Sequence, residues 1–323
     1  MGLKQRFKNL LARALAALMV PRLRDFLCDP RYFQVWEKRG LHITPVHFYQ
    51  PLPDTRELSS YDWDRVSAMP GLKLREKGQL ELLDRLSGAY KREYSRFPLS
   101  ERPSGGFFVD NGTFESVDCE VYYSIIRLYK PSRIVEVGGG NSTLLSASAA
   151  LANKAETGAA PELTLVEPYP GRAVSAGIPG LSRLLAEKAE SVPLETFTAL
   201  EENDILFIDS SHVLKTGGDV QRLYLEVLPR LGKGVLVHIH DIFFPFDYPR
   251  NVVLGRKRFW TEQYLVQAFL AFNSGFEVLW SSSFMHYNHS GELEAAFPSY
   301  SRASRRPGSL WLRRTPLDEG MEA

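Results

Sequence analysis

The chain has 323 residues, of which 44% are hydrophobic and 24% charged, and its formal net charge is +1. These values are typical of a folded globular protein with one large domain or two small ones, and they give no electrostatic argument for a nucleic-acid partner. The two cysteines, Cys28 and Cys119, stand in no paired motif. This argues against a disulfide framework or a thiolate metal site and favours a reducing, cytoplasmic compartment.

The first 20 residues predict an amphipathic helix, because their apolar side chains recur at helical spacing: Leu3, Phe7, Leu10, Leu11, Ala14, Leu15 and Leu18. Arg13 interrupts the apolar run, so neither a signal peptide nor a transmembrane segment fits. Arg6 stands where a myristoylation signal has serine or threonine. The preferred interpretation is a helix that packs on the protein itself, and weak contact of residues 1–20 with a membrane surface is the alternative.

Residues 21–115 are rich in proline and aromatic side chains, which predicts irregular structure with one helix near Lys77 to Tyr94. We interpret residues 1–115 as a helical and irregular cap that helps to select a substrate. A packing extension without any contact to a ligand fits the same composition. The sequence does not predict the oligomeric state.

From Ser116 onward the pattern changes to alternating helices and strands. A helix over Val117–Tyr129 precedes an apolar strand at residues 133–137, and further strands are predicted over Leu163–Val166, Leu181–Glu187, Asp204–Ile208, Gly234–Ile239, Phe276–Trp280 and Ser309–Arg313. Such alternation is typical of a doubly wound, mostly parallel α/β sheet, in which ligands bind outside the carboxyl ends of the strands. We place this domain at residues 116–315 and a short tail at 316–323.

The central motif of the chain is R-I-V-E-V-G-G-G-N-S-T-L-L, which runs from Arg133 to Leu145. It predicts a buried strand that turns sharply into a helix. Glycines at such a turn let a ligand approach the main chain, and the N–H groups of the new helix face that ligand. Ser142 replaces the third glycine of a dinucleotide-binding fingerprint, which argues against a nicotinamide cofactor.

Acidic and imidazole side chains end the other predicted strands. Glu167 follows the second strand, Asp209 the fourth, and His240 with Asp241 the fifth. A carboxylate in the position of Glu167 accepts hydrogen bonds from ribose hydroxyls in nucleotide-binding α/β folds. A surface carboxylate that caps the next helix is the alternative, and the nearby glycine turn favours the ribose interpretation.

Four motifs in this order, E-V-G-G-G-N-S-T-L-L, V-E-P-Y-P, D-I-L-F-I-D-S-S-H and H-I-H-D-I-F-F-P-F-D-Y-P, resemble class I S-adenosylmethionine-dependent methyltransferases. The resemblance is closest to the metal-dependent small-molecule and sugar O-methyltransferases that include the macrocin type, and it covers residues 100–315. It implies a Rossmann-like sheet of seven strands, the last of them reversed, and a small-molecule or glycoside acceptor. It also implies contacts to S-adenosylmethionine from Glu136, Gly138, Gly140, Asn141, Ser142, Glu167, Glu190, Ser191 and Asp209.

The same resemblance implies a divalent metal ion, Mg²⁺ or Mn²⁺, held by Asp209, His240 and Asp241. Carboxylates suit such ions, whereas His240 stands where the family more often has a carboxylate. The alternative is that Asp241 orders the following loop and that no ion binds.

His212 is the candidate general base. It ends D-S-S-H, three residues after the second candidate catalytic residue, Asp209. An unperturbed imidazole has a pKa near 6.5 and can accept the proton of a hydroxyl as a methyl group is transferred. His238, in the middle of a strand, is interpreted as a buried and hydrogen-bonded histidine. A nicotinamide-dependent oxidoreductase and a non-catalytic α/β module are the alternative functions.

Overall fold

The computed structural model describes residues 3–103 and 105–316, and the chain divides into two compact units between Asp62 and Trp63. This division lies earlier than the predicted boundary after residue 115. The reason is helix α3, Glu76–Tyr94, whose side chains Leu82, Leu83 and Leu86 are buried in the core of the second unit. Residues 63–115 are therefore part of the larger unit.

The first unit contains helix α1, Leu3–Leu27, and the short helix α2, Phe33–Glu37, with single 3₁₀ turns at Pro30–Tyr32 and Glu57–Ser60. The helix predicted over the first 20 residues is present. Its apolar side chains at Phe7, Leu10 and Leu18 are each 60% or more exposed. None of the described helices is long and apolar enough to span a bilayer. Packing on the protein and contact with a lipid surface both stay predictions.

The second unit is built on one seven-stranded sheet. Its strands are β1 (Arg133–Val137), β2 (Glu162–Val166), β3 (Arg183–Leu185), β4 (Ile205–Ile208), β5 (Leu236–Ile239), β6 (Phe276–Ser281) and β7 (Leu310–Arg314). The order across the sheet is β3-β2-β1-β4-β5-β7-β6. The strands β1 to β5 are parallel to their neighbours, and β7 is antiparallel to both β5 and β6. The predicted doubly wound sheet with a reversed last strand is confirmed.

Helices cover both faces of this sheet. After α3 they are α4 (Asp118–Tyr129), α5 (Asn141–Thr157), α6 (Arg172–Ser175), α7 (Glu195–Thr198), α8 (Asp219–Arg222), α9 (Glu262–Leu270), α10 (Ser282–Asn288) and α11 (Ser290–Ala296). Alternate residues of β1 enter different cores: Ile134 packs into the cluster that contains α3 and α4, and Val135 into the cluster on the other face. Burial on both faces explains why the strands read as continuous apolar runs.

Two elements differ from the sequence prediction. Strand β3 has three residues where seven were predicted, because it is an edge strand that pairs with β2 alone. The helix after β4 changes from α-helix to a π-helix at Leu223–Val227 and then to a 3₁₀ turn at Leu228–Arg230. Pro229 lies in that last turn, and it lacks the N–H group that a continuing α-helix requires.

Candidate active site

The site lies where the sheet reverses its winding. Strand β1 pairs with β2 on one side and with β4 on the other. The chain segments that leave these three strands therefore diverge from one point and open a crevice at their carboxyl ends. The glycine turn follows β1, Glu167 follows β2 and Asp209 follows β4, so the fold brings together the residues that the sequence placed at strand ends.

The glycine turn serves two different purposes. Gly138 has φ +78°, and a Cβ atom there would lie 1.8 Å from the main-chain oxygen of Asp209, so this glycine lets the turns after β1 and β4 touch. Gly140 has φ +156°, and a Cβ atom there would meet nothing within 4 Å. The open space beside Gly140, at the N-terminus of the 17-residue helix α5, is where a ligand can approach the main chain.

Glu136 is fully buried beneath this turn. The Tyr122 hydroxyl donates to its Oε1 at 2.7 Å, and the Thr143 hydroxyl donates to its Oε2 at 2.6 Å. Burial raises the pKa of this carboxyl, while the hydroxyl donors act in the opposite direction. Glu136 thus ties β1 to the first turn of α5, and its direct contact with the cofactor remains a prediction. Asn141 and Ser142 begin α5; the Asn141 side chain donates to the Thr113 hydroxyl at 2.9 Å.

Glu167 lies partly exposed at the end of β2. Its Oε1 accepts the main-chain N–H of Tyr169 at 2.8 Å, which fixes the carboxylate at the edge of the crevice. Glu190 and Ser191 lie in a 3₁₀ turn, Ala189–Ser191, after β3. The open space at Gly140 and the half-exposed carboxylate of Glu167 fit an amino-acid nucleoside such as S-adenosylmethionine. The individual contacts stay predictions.

A cleft of about 490 Å³ lies on the other side of Asp209. Its walls come from the loop before α4, from the ends of β4 and β5, and from the segment before α9: Gly112, Thr113, Asp209, Ser210, Ser211, His212, His240, Asp241, Val252, Arg256, Arg258 and Trp260. The fold thus gathers Asp209, His212, His240 and Asp241, all of them predicted site residues, into one cavity of a size suited to a small molecule.

His212 lies at the centre of this cleft. Its Nε2 is 3.2 Å from Asp209 Oδ1 and 3.7 Å from Asp241 Oδ2, and its Nδ1 is 2.8 Å from Glu262 Oε2. The indole of Trp260 packs against the imidazole with ring centroids 4.5 Å apart. The His212 carbonyl accepts the N–H groups of Thr261 and Glu262, so both the main chain and the side chain of this residue are bound to the start of α9.

The charges in the cleft shift one another's pKa values. Burial alone would lower the pKa of His212, but the hydrogen bonds to Asp209 and Glu262 raise it well above its usual value. Burial alone would raise the pKa of Asp209, yet the charges of His240 and His212 bring it down to about 2. Burial raises the pKa of Asp241, which His240 and His212 offset only in part. The surroundings therefore favour an imidazolium at His212 beside an ionised Asp209.

Glu262 is the site residue that sequence reasoning missed. It is fully buried, and as an acceptor it fixes the Nδ1–H tautomer of His212, so that Nε2 points toward Asp209 and the cleft. The signal in the sequence was a glutamate in W-T-E-Q-Y-L at the start of the apolar helix α9. Nothing in the sequence shows that this glutamate, 50 positions after His212, lies beside it.

The predicted metal ligands do not converge as a metal site. Asp209 and Asp241 direct oxygens at the same point, but His212 Nε2 already occupies it. His240 Nε2 is 4.0 Å from Asp241 Oδ1, and its buried Nδ1 has no hydrogen-bond partner within the described residues. Among residues 3–103 and 105–316, no three histidine, cysteine or acidic side chains are placed to hold an ion. The described residues therefore do not fit the predicted ion.

His238 is buried as predicted, but the expected hydrogen bond is absent. Neither ring nitrogen has a partner within the part of the chain that the structure describes. The ring stacks on Phe207 instead, with centroids 4.1 Å apart. Burial and the neighbouring His240 lower the pKa of His238, so it is a neutral aromatic component of the core.

Comparison with known proteins agrees with this fold. Residues 135–242 match the family model described as a methyltransferase domain. A protein of Archaeoglobus fulgidus named only as uncharacterised is 32% identical over 177 residues, which are 51% of this chain and 77% of that protein.

Among solved structures, a candidate methyltransferase from Thermobifida fusca aligns with 79% of this chain and 97% of its own at 12% identity and a TM-score of 0.37. A Haemonchus contortus phosphoethanolamine N-methyltransferase aligns with 73% of this chain and 59% of its own, at 12% identity and a TM-score of 0.35. Similarity this low has no bearing on the substrate of this chain.

The sheet order, the reversed β7 and the glycine turn after β1 define a class I methyltransferase fold, the class that uses S-adenosylmethionine. Its central segment matches a methyltransferase domain by sequence as well. The family match therefore identifies a methyltransferase domain over residues 135–242, and the archaeal protein is similar to this chain over 177 residues. The methyltransferase fold and the methyltransferase domain implied by the four sequence motifs are confirmed, and the macrocin subtype is not.

Proposed function

We propose that this protein transfers a methyl group to a hydroxyl oxygen of a small molecule or sugar, with His212 as the general base. One observation supports this most strongly, the connected series Glu262–His212–Asp209 at the wall of a cleft of about 490 Å³. A buried carboxylate that orients an imidazole toward a cleft is the arrangement used to remove a proton from a hydroxyl. Transfer to an amine that is already neutral does not need such a base.

The roles of the three residues follow from their contacts. Glu262 accepts the Nδ1–H group and stabilises the imidazolium that forms when Nε2 takes a proton. Asp209, with a pKa of about 2, is too weak a base to take the proton of the acceptor itself. It stabilises the protonated imidazole from the Nε2 side. S-adenosylmethionine supplies the electrophilic methyl group when bound. Trp260 packs on the imidazole and shields one face of it from water.

The raised pKa of His212 sets the expected pH dependence. The hydrogen bonds to Asp209 and Glu262 favour the protonated imidazole, so the free base forms at a higher pH than for an ordinary histidine. Turnover should therefore rise with pH through a midpoint above 6.5, the usual value of a histidine. A stronger base is also better matched to a hydroxyl, whose own pKa is high.

Paired acceptors test the proposal. The release of S-adenosylhomocysteine is measured for hydroxylated compounds and for amines of the same carbon skeleton, and the methylated atom is identified by mass spectrometry and NMR. We expect methyl groups on oxygen and turnover that rises above pH 6.5. Methylation of the amine in preference to the alcohol, or a rate independent of pH from 6 to 9, would contradict the assignment.

A further inference from the structure

The rim of the cleft carries two arginines that the proposed chemistry does not use. Arg256 and Arg258 both line the cavity. The segment that presents them is anchored through its main chain, because the Arg256 N–H donates to the Asn251 carbonyl at 2.9 Å and the Arg258 N–H donates to the Val252 carbonyl at 3.1 Å. The main chain that carries the two arginines is therefore held in a hydrogen-bonded turn.

The charges of these arginines are not taken up by the acids of the cleft. Asp209 and Asp241 have His212 and His240 as their cationic partners. Within residues 3–103 and 105–316, neither Arg256 nor Arg258 has a carboxylate within ion-pair distance. An arginine that lines a cavity without a carboxylate partner is available to an anionic ligand, which it can bind with two parallel N–H groups.

Trp260 connects the rim to the reacting centre. Its ring centroid lies 5.4 Å from the guanidinium carbon of Arg258 and 4.5 Å from the imidazole of His212. The indole holds Arg258 by a cation–π contact, which reduces the entropy lost when that side chain binds a ligand.

We propose that the methyl acceptor carries an anionic group, a carboxylate or a phosphate, which Arg256 and Arg258 bind while the hydroxyl lies against His212. This rests on the proposed function for the position of the hydroxyl, but the anion site is defined by the arginines alone. It narrows the substrate class from hydroxylated molecules in general to small hydroxy acids, sugar acids and phosphorylated sugars.

Binding of matched sugars tests this inference. Glucose, glucuronate and glucose 6-phosphate are titrated by calorimetry into the protein saturated with S-adenosylhomocysteine. We expect the two charged sugars to bind about ten- to a hundredfold more tightly than glucose, the range that charge-assisted hydrogen bonds provide. The tighter of the two charged sugars identifies the carboxylate or the phosphate as the preferred group.

Three variants locate the site. Arg256→Gln and Arg258→Gln should each abolish the preference for the charged sugars. Lys257→Gln is the matched control, since it removes the same charge from the same turn at a side chain that does not line the cleft. Equal affinity for all three sugars, no binding of either charged sugar, or an equal loss in Lys257→Gln would overturn the inference. Arginine-dependent binding without any O-methylation would instead contradict the proposed function and leave the anion site standing.

Discussion

The two halves of the crevice are built in different ways. Apart from Glu190, Ser191 and Asp209, the half assigned to the cofactor comes from one continuous stretch, residues 133–167, in which a strand, a turn, a helix and a second strand follow one another. The acceptor half gathers residues 112–113, 209–212, 240–241 and 252–262 from four separate parts of the chain. The first half is specified by local sequence, whereas the second exists only when the sheet is complete.

The two halves also differ in the surroundings of their buried charged side chains. In the cofactor half the one buried carboxylate, Glu136, accepts hydrogen bonds from two hydroxyl groups and ties β1 to α5. In the acceptor half, buried carboxylates and imidazoles face one another and shift one another's pKa values in opposite directions. Opposed pKa shifts at one cleft are typical of acid–base chemistry. A buried carboxylate whose hydrogen bonds are satisfied is typical of a rigid binding site. Variants of one half should therefore leave the readout of the other half unchanged.

The largest effect is expected for His212→Ala in the acceptor half. Loss of a general base lowers turnover by about 10²–10⁴-fold. The affinity for S-adenosylhomocysteine should stay near that of the unmodified protein, which also shows that the variant is folded. His289→Ala is the control, because this imidazole also lies between carboxylates, those of Glu76 and Glu292, but lines no part of the cleft. Near-normal turnover in His212→Ala would remove the base from the mechanism.

A smaller effect is expected for Glu167→Ala in the cofactor half. The change removes a charged acceptor for the ribose hydroxyls, and such hydrogen bonds contribute about 1.5–3 kcal/mol, so the affinity for S-adenosylhomocysteine should fall about ten- to a hundredfold. Calorimetry measures this. Glu162→Ala, at the opposite end of the same strand β2, should bind normally. The midpoint of the pH–rate profile should not move in either variant, and unchanged affinity in Glu167→Ala would refute the ribose assignment.

The contrast between the halves also explains what the sequence could predict. Gly138 to Gly140 and Glu167 lie directly after apolar strands, so a strand-by-strand interpretation places them at the crevice without any knowledge of tertiary contacts. The same alternation predicted a mostly parallel sheet, whereas the reversed last strand was implied by the family resemblance, and the order of the strands came from the structure. Glu262 could not be found in this way, since its role depends on a contact with His212, 50 positions earlier in the chain. The raised pKa of His212 was missed for the same reason, because the unperturbed value near 6.5 assumes no such neighbour.

Glu262→Gln tests that contact with a still smaller expected effect. The amide oxygen can still accept the Nδ1–H group, but the negative charge that helps to raise the pKa of His212 is gone. The rising limb of the pH–rate profile should move to lower pH, and the plateau rate should fall less than in His212→Ala. Glu292→Gln, which removes a carboxylate 3.4 Å from His289, is the control. A profile that keeps its midpoint while turnover falls would mean that Glu262 acts only on the fold.

The same contact fixes the sign of the stability change in Glu262→Gln. A folded-state pKa of His212 above the unfolded value stabilises the protein fully below about pH 6.5, and this contribution is lost as the pH rises through the folded-state pKa. The difference in melting temperature between the unmodified protein and Glu262→Gln should therefore be larger at pH 6 than at pH 9. A difference that is the same at both pH values would show that the charge of Glu262 does not stabilise the imidazolium.

The smallest effect is expected from removal of divalent ions. The ion that the sequence predicted would neutralise Asp209 and Asp241, but His212 Nε2 lies 3.2 Å and 3.7 Å from these carboxylates and carries the positive charge itself. Two cations cannot share that position without strong repulsion. Turnover measured after exhaustive chelation should therefore equal that of untreated protein, and added Mg²⁺ or Mn²⁺ should not raise it. A loss of turnover that Mn²⁺ restores would show that the ion displaces His212 from the two carboxylates. In that case the acceptor hydroxyl would lose its proton while bound to the metal ion. The acceptor half would then need a bound ion, just as the cofactor half needs bound S-adenosylmethionine.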